Sequence, residues 1–231
     1  MAAERALIVG AGSGLSASLA RLCKREGMAV VLAARDTGKL AGLVEETGAT
    51  AISCDASKAD DVARLFGQVD AGGSGLDLVV YNASGRARGP IVDLDPAAVE
   101  QAVKVTALGG FYVAQQAAKR MLKQGHGTIL LTGASAGVKG YPRSSSFAMG
   151  KFALRGLAQS LARELHPQNI HIGHFVIDGG IAKESDPRAN ERGPDGLLDP
   201  DAIAQTYLQF HRQPRSAWAW EIELRPWIET F

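Results

Sequence analysis

Only two cysteines, Cys23 and Cys54, occur in the 231 residues. Neither sits in a cluster of metal-ligand spacing, so a disulfide framework and a cysteine-held metal are excluded and a reducing compartment is expected. Charge of one sign is also scarce: 25 Lys and Arg against 24 Asp and Glu leave a formal +1. That balance and the lack of a basic run argue against a partner with a phosphate backbone, so no nucleic acid is expected. No apolar run approaches the roughly 20 residues of a membrane span. The stretch ALIVGAG begins within a few residues of Met1 with no charged-then-apolar leader before it, which leads us to expect a cytoplasmic protein with no membrane partner. Internal repeats and low-complexity linkers are missing as well.

What remains is ordinary globular usage, 46% hydrophobic and 21% charged, at a length one domain can fill. Short apolar runs ending in Gly, Asp or Asn alternate with stretches of helical length and amphipathic pattern. The runs are 6–11, 29–34, 50–55, 76–83, 128–134 and 171–178, and the helical candidates lie near 15–27, 36–47, 57–70, 97–123 and 147–166. Repeated βαβ order predicts a three-layer α/β fold of Rossmann-like, doubly wound type: one parallel sheet in a single domain, 1–231, with ligands beyond the carboxyl ends of the strands. Residues 182–200, polar and rich in Pro and Gly, read as a loop placed to act as a substrate lid. Farther on, Trp218, Trp220, Ile222 and Leu224 alternate with Ala219, Glu221, Glu223 and Arg225, the pattern of a half-buried last strand with the four apolar residues on one face.

The turn Val9-Gly10-Ala11-Gly12-Ser13-Gly14-Leu15-Ser16 follows the first strand and opens the first helix. Glycine there lets the backbone approach a pyrophosphate, whose charge the amides and the helix N-terminus stabilise. The second strand ends Ala33-Ala34-Arg35-Asp36. An acidic residue at this point accepts hydrogen bonds from a ribose in NAD sites, whereas an arginine accommodates the 2′-phosphate of NADP. Ala34 and Arg35 therefore favour NADP over NAD, and Asp36 is assigned to capping the next helix.

On these motifs the chain resembles the short-chain dehydrogenase/reductase family over nearly its whole length. The family's TGxxxGxG is matched at Gly10 and Gly14, with Val9 for Thr and Ser16 for the last Gly. Its aspartate after the third strand is matched by Asp55, next to Ala56, and its NNAG in part by Tyr81-Asn82-Ala83-Ser84. The resemblance implies that Gly10, Gly12, Ser13, Gly14, Leu15, Arg35, Asp55, Ala56, Asn82, Ala83 and Lys151 hold NADP, with Ser13 joining Arg35 at the 2′-phosphate. The catalytic half departs from the family. Its YxxxK reads Phe147-Ala148-Met149-Gly150-Lys151, its serine falls at Ala134, and its helix asparagine falls at Thr106. The usual Pro-Gly after the sixth strand is replaced by Ile177-Asp178-Gly179.

Reduction of a carbonyl by hydride creates an alkoxide that needs a proton, and phenylalanine has none to give. Lys151, which the resemblance places on the nicotinamide ribose, is the surviving catalytic candidate, and Tyr141 and Asp178 are candidate substitutes. His171 and His174, three apart on a strand, point to opposite faces and cannot share a metal. The small residues Gly150, Ala153, Gly156 and Ala158 would allow close helix packing, and the family's habit of assembling as dimers or tetramers implies a homo-oligomer. Two functions stay open. One is an NADP(H)-dependent oxidoreductase acting on a small carbonyl or activated alkene with a non-standard proton donor; the other is a catalytically silent NADP(H)-binding protein serving as a sensor or oligomer partner.

Overall fold

The computed structural model describes residues 3–229 apart from 74 and 184. Seven strands form one parallel sheet: β1 (Arg5–Val9), β2 (Ala29–Ala34), β3 (Thr50–Ser53), β4 (Leu78–Tyr81), β5 (Gly127–Thr132), β6 (Ile170–Ile177) and β7 (Glu221–Leu224), in the order β3-β2-β1-β4-β5-β6-β7. The order reverses between β1 and β4, which pair with Val9 beside Tyr81. Their crossovers leave in opposite directions, opening a crevice at the carboxyl ends.

The helices are α1 (Leu15–Arg25), α2 (Ala41–Thr47), α3 (Ala59–Ala71), α4 (Pro96–Val103), α5 (Gly109–Gln124), α6 (Ser145–Leu165), α7 (Arg188–Arg192) and α8 (Pro200–His211). Alternate strand residues feed two cores. Leu7 and Val9 pack with α3, α5 and α6 through Phe66, Val113 and Leu154, whereas Ala6 and Ile8 pack with α1 and α8 through Leu19 and Tyr207. Both faces of the sheet are therefore covered, which is why its strands read as continuous apolar runs.

The structure amends several expected elements. The predicted helix 97–123 is interrupted by a π-helical turn, Lys104–Leu108. A π-turn frees a carbonyl from the helical ladder, and the Tyr81 hydroxyl donates to that of Val105. The stretch 182–200 is not wholly a loop: it contains α7, is tied back by an Ile181–Leu198 bridge, and ends where Pro200 starts α8. α8 lies outside the set read from the sequence, although Asp199 caps it through the Asp201 amide with Pro200 in the first turn.

The last strand is shorter than its pattern. Trp220 packs on the α3/α5/α6 side whereas Ile222 and Leu224 pack on the α1/α8 side. Regular strand geometry begins only at Glu221, so the two-residue period slips ahead of it and the four apolar residues do not share a face. Trp218 stacks on His171, ring centroids 4.3 Å apart, and His174 on the other face bonds Glu221 through Nδ1 at 2.9 Å. The small residues of α6 also divide. Gly150 packs on Thr106 and Ala158 is buried, whereas Ala153 and Gly156 face outward.

Candidate active site and dinucleotide crevice

Gly10 ends β1 at φ 87°, a region that favours glycine, and a Cβ there would run into the Ala83 backbone nitrogen. The turn is thereby pressed against the end of β4. Ser16, standing where the family motif has glycine, supplies a second tie: its hydroxyl donates to the Gly10 carbonyl at 3.2 Å and accepts from the Asn82 side-chain amide at 2.8 Å. Asn82 thus acts in this structure as a strut between β4 and the turn.

At Gly12 and Gly14 added Cβ atoms would meet nothing within 4 Å, so these glycines are not there for internal packing. α1 has no side-chain cap and no acidic residue in its first turn, which leaves its leading amides to an anion.

A cavity of about 500 Å³ runs under this turn, lined by Gly12, Ser13, Arg35, Asp55, Ala56 and Asn82 among others. The Arg35 guanidinium makes no hydrogen bond or ion pair with any described residue. Asp36 is turned to local work, accepting from the Gly38 amide at 3.1 Å and pairing with Lys39 at 3.5 Å. The helix cap expected of Asp36 is not formed: Thr37 is the N-cap of the 3-10 turn and Leu40 that of α2, neither with a side-chain cap, and Asp36 instead closes a local turn onto the Gly38 amide. Asp55 is held by the Ser57 amide and hydroxyl at 3.0 and 2.7 Å. Gly12 and Ser13 of the turn share this cavity with the Arg35 guanidinium and Asp55, a lining that fits a dinucleotide with a phosphate at its adenosine end.

Asn82 and Ser84 also line the neighbouring cavity, which continues past Gly133, Ala134, Phe147 and Lys151. Lys151 is 3% exposed and donates to the Thr132 carbonyl at 2.6 Å. Burial, with a smaller contribution from the Arg86 charge, pushes its pKa down to about 7. Phe147, one helical turn earlier, places its ring centroid 5.6 Å from the Lys151 amine. Thr106 is fully buried and stands behind the wall, its hydroxyl accepting from the Gly85 amide at 2.9 Å.

The two candidate substitutes separate. Tyr141 lines the outer cavity and is 41% exposed. The Asp178 carboxylate is engaged by Lys139 at 3.7 Å and Arg225 at 3.5 Å, although its neighbours Ile177 and Gly179 line the crevice.

Sequence reasoning passed over Arg86, Arg88 and Arg143, which line the outer cavity together. The Arg86 guanidinium lies 3.7 Å from the Phe147 ring centroid. The available signal was the Arg-x-Arg spacing in Gly85-Arg86-Ala87-Arg88-Gly89, directly after the β4 asparagine. α7 and the chain before it, through Lys183, Asp186 and Arg188, wall the crevice from above.

The model of the short chain dehydrogenase family matches residues 4–191. The chain belongs to the short-chain dehydrogenase/reductase family. The matched span holds the glycine turn, Arg35, Asp55, Asn82 and Lys151, and stops within α7. A solved short-chain dehydrogenase from Rhodopseudomonas palustris is 32% identical, covers 97% of this chain and 99% of its own, and superposes with a TM-score of 0.83. A metagenomic short-chain oxidoreductase in complex with NADP is 26% identical over 96% and 97% of the two chains, TM-score 0.83. An uncharacterized oxidoreductase of Staphylococcus aureus (strain N315) is 27% identical over 227 residues, 96% of each chain. In this member of the short-chain dehydrogenase/reductases, Lys151 lines one crevice with Asn82, Ala134 and Phe147.

Proposed function

We propose that the chain is an NADP(H)-dependent oxidoreductase of small carbonyl compounds or activated alkenes, with Lys151 handling the proton in place of a tyrosine. One observation carries the coenzyme preference: the unpaired Arg35 guanidinium shares a cavity wall with Ser13 under the glycine turn. The NADP bound by the metagenomic relative supports it. When bound, the reduced coenzyme supplies a hydride to the substrate carbon.

The chain's own residues supply the rest. Gly12, Gly14 and the first amides of α1 hold phosphate, Arg35 and Ser13 hold the 2′-phosphate, and Asn82 fixes the turn to β4. Phe147 and Ala134 stand at the positions of the family's tyrosine and serine and offer no proton. Lys151 lines the same cavity with a pKa near 7, in the range where a lysine serves as general acid at neutral pH. A proton leaves its amine for the alkoxide as the negative charge forms, and water restores it. Residues 182–200 act as the lid, because Lys183, Ser185 and Arg188 already form part of the crevice wall.

The absence of a hydroxyl at positions 134 and 147 favours a second reading, a catalytically silent NADP(H) binder. NADPH oxidation over ketones, aldehydes and enoyl compounds separates the two. Turnover that disappears in Lys151→Ala supports the oxidoreductase, whereas saturable NADPH binding with no hydride transfer to any acceptor supports the silent binder.

The half-exposed apolar side chains Leu108, Phe111, Met149 and Phe152 lie on and beside α5 and α6. This patch supports assembly with a second copy of the chain. Light scattering that returns only a monomer mass overturns that assignment.

A further inference from the structure

The segment between β4 and α4 is fastened at every other residue. The Gly85 amide donates to the Thr106 hydroxyl at 2.9 Å, and the Gly89 amide donates to the Arg143 carbonyl at 3.2 Å. Between them the Ala87 amide and carbonyl both bond the Ser146 hydroxyl at 2.9 Å. Thr106 and Ser146 are fully buried, so these anchors belong to the core and not to a loose surface. A Cβ on Gly85 would run into Ala102, which fixes the approach of the segment to α4. With 85, 87 and 89 tied down, the intervening Arg86 and Arg88 line the cavity, and Arg143 joins them from the facing loop at φ 60°, a backbone region that non-glycine residues rarely occupy.

Among the described residues, no acidic side chain lines this outer cavity with them. Asp186, on the neighbouring wall, is taken by Arg188 at 2.6 Å, and Asp178 is taken by Lys139 and Arg225. Arg86, Arg88 and Arg143 make no side-chain hydrogen bond or ion pair with any described residue. Three arginines that line one cavity with no acidic partner among the described residues carry a repulsion, felt at Arg86 from Arg88, that an incoming anion removes. Stacking on Phe147 uses only the face of the Arg86 guanidinium, and its N–H edges stay available for a two-point bond to an oxyanion.

We propose that Arg86, Arg88 and Arg143 form the substrate-recognition subsite and that the substrate carries an oxyanionic group, carboxylate or phosphate, bound beside Phe147. The carbonyl or alkene would then lie between this anchor and Lys151, in the stretch of crevice that Arg86, Phe147 and Lys151 line together. Burial, with Arg88 adding, lowers the Arg86 pKa, as expected of a guanidinium that lacks its anion. The proposal deepens the oxidoreductase reading and rests on it for the orientation of the substrate.

The test separates the two. Calorimetry first measures NADP+ binding to the full chain. Then 4-oxopentanoate, its methyl ester and 2-oxopropylphosphonate are titrated in turn, with and without NADP+, into wild type, Arg86→Gln and Arg88→Gln. The proposal predicts that at least one anion binds and that the ester binds about tenfold more weakly or not at all. It also predicts that each variant loses about tenfold in anion affinity while keeping its melting temperature and NADP+ binding. The carboxylate and phosphonate arms identify which anion the site prefers. Equal binding of acid and ester, unchanged anion affinity in both variants, or no binding of either anion at millimolar concentration overturns the proposal. Absence of NADP+ binding alongside anion binding would instead count against the coenzyme reading alone.

Discussion

The Lys151 amine donates to the Thr132 carbonyl at 2.6 Å and lies 5.6 Å from the centroid of the Phe147 ring. A buried ammonium with one carbonyl acceptor and an aromatic neighbour is poorly compensated, and its pKa near 7 follows. In the proposed reaction the protonated amine is the donor for reduction. NADPH consumption is therefore expected to be greatest below about pH 7 and to fall as pH rises through the Lys151 pKa, with a single-proton slope. Because the Arg86 charge helps to depress that pKa, Arg86→Gln moves the midpoint upward. A flat profile from pH 6 to 9 would remove Lys151 from proton transfer.

Phe147→Tyr returns a hydroxyl to a ring that already lines the crevice one helical turn before Lys151. Proton transfer from a positioned side chain is worth about 10² to 10⁴ in rate, so the variant is expected to gain at least about tenfold in kcat for ketone reduction. Steady-state kinetics of wild type and variant on one substrate check this. A loss of activity with folding intact would mean that the Phe147 ring serves the Arg86 platform more than it replaces a donor.

Acid stability should report the buried histidines. His174 has no exposed surface, and burial pushes its pKa down to about 4; burial does the same to His171. Between pH 6.5 and 4 the unfolded chain therefore binds more protons than the folded one, and stability declines as pH falls through that window. The surface carboxylates held low by partners, such as Glu100, begin to contribute only below their ordinary value of 4.5, which leaves pH 6.5 to 4.5 to the histidines. His174→Asn, whose side-chain amide can reach Glu221 as Nδ1 does, should flatten part of the decline in melting temperature over this range. An unchanged pH dependence would contradict the assignment.

Gly10→Ala forces a side chain onto a residue at φ 87° and into the Ala83 backbone. A loss of about 2 kcal/mol or more is expected in urea unfolding, together with weakened coenzyme binding. Gly12→Ala, with open space in front of it, should weaken coenzyme binding with little change in stability. If both variants behave alike, the turn is not divided between packing and binding in the way its geometry indicates.

Much of this was legible in the residues. Strands covered on both faces announce themselves as apolar runs, and β1, β2 and β6 begin and end within about two residues of those runs. The close approach of Gly10 to β4 and the place of Arg35 on the cavity wall were both legible in their positions after a strand. α8 was harder, since it follows a polar stretch and its signal lies in Asp199-Pro200 more than in periodicity. The π-turn at Lys104–Leu108 left no trace because it inserts one residue into an otherwise helical pattern. The arginine platform escaped for another reason: Arg86 and Arg88 look like solvated charges until the flanking Gly85, Ala87 and Gly89 are bonded to Thr106, Ser146 and Arg143, partners far away in sequence.

The most direct test of the account is calorimetric titration of NADPH and NADH into the wild-type chain and Arg35→Ala. An unpaired guanidinium facing a 2′-phosphate is worth about 1.5 to 3 kcal/mol, so wild type should bind NADPH at least tenfold more tightly than NADH. Arg35→Ala should lose that preference while binding NADH about as before. Equal affinity of the wild type for both coenzymes, or an Arg35→Ala variant that still prefers NADPH, would contradict it.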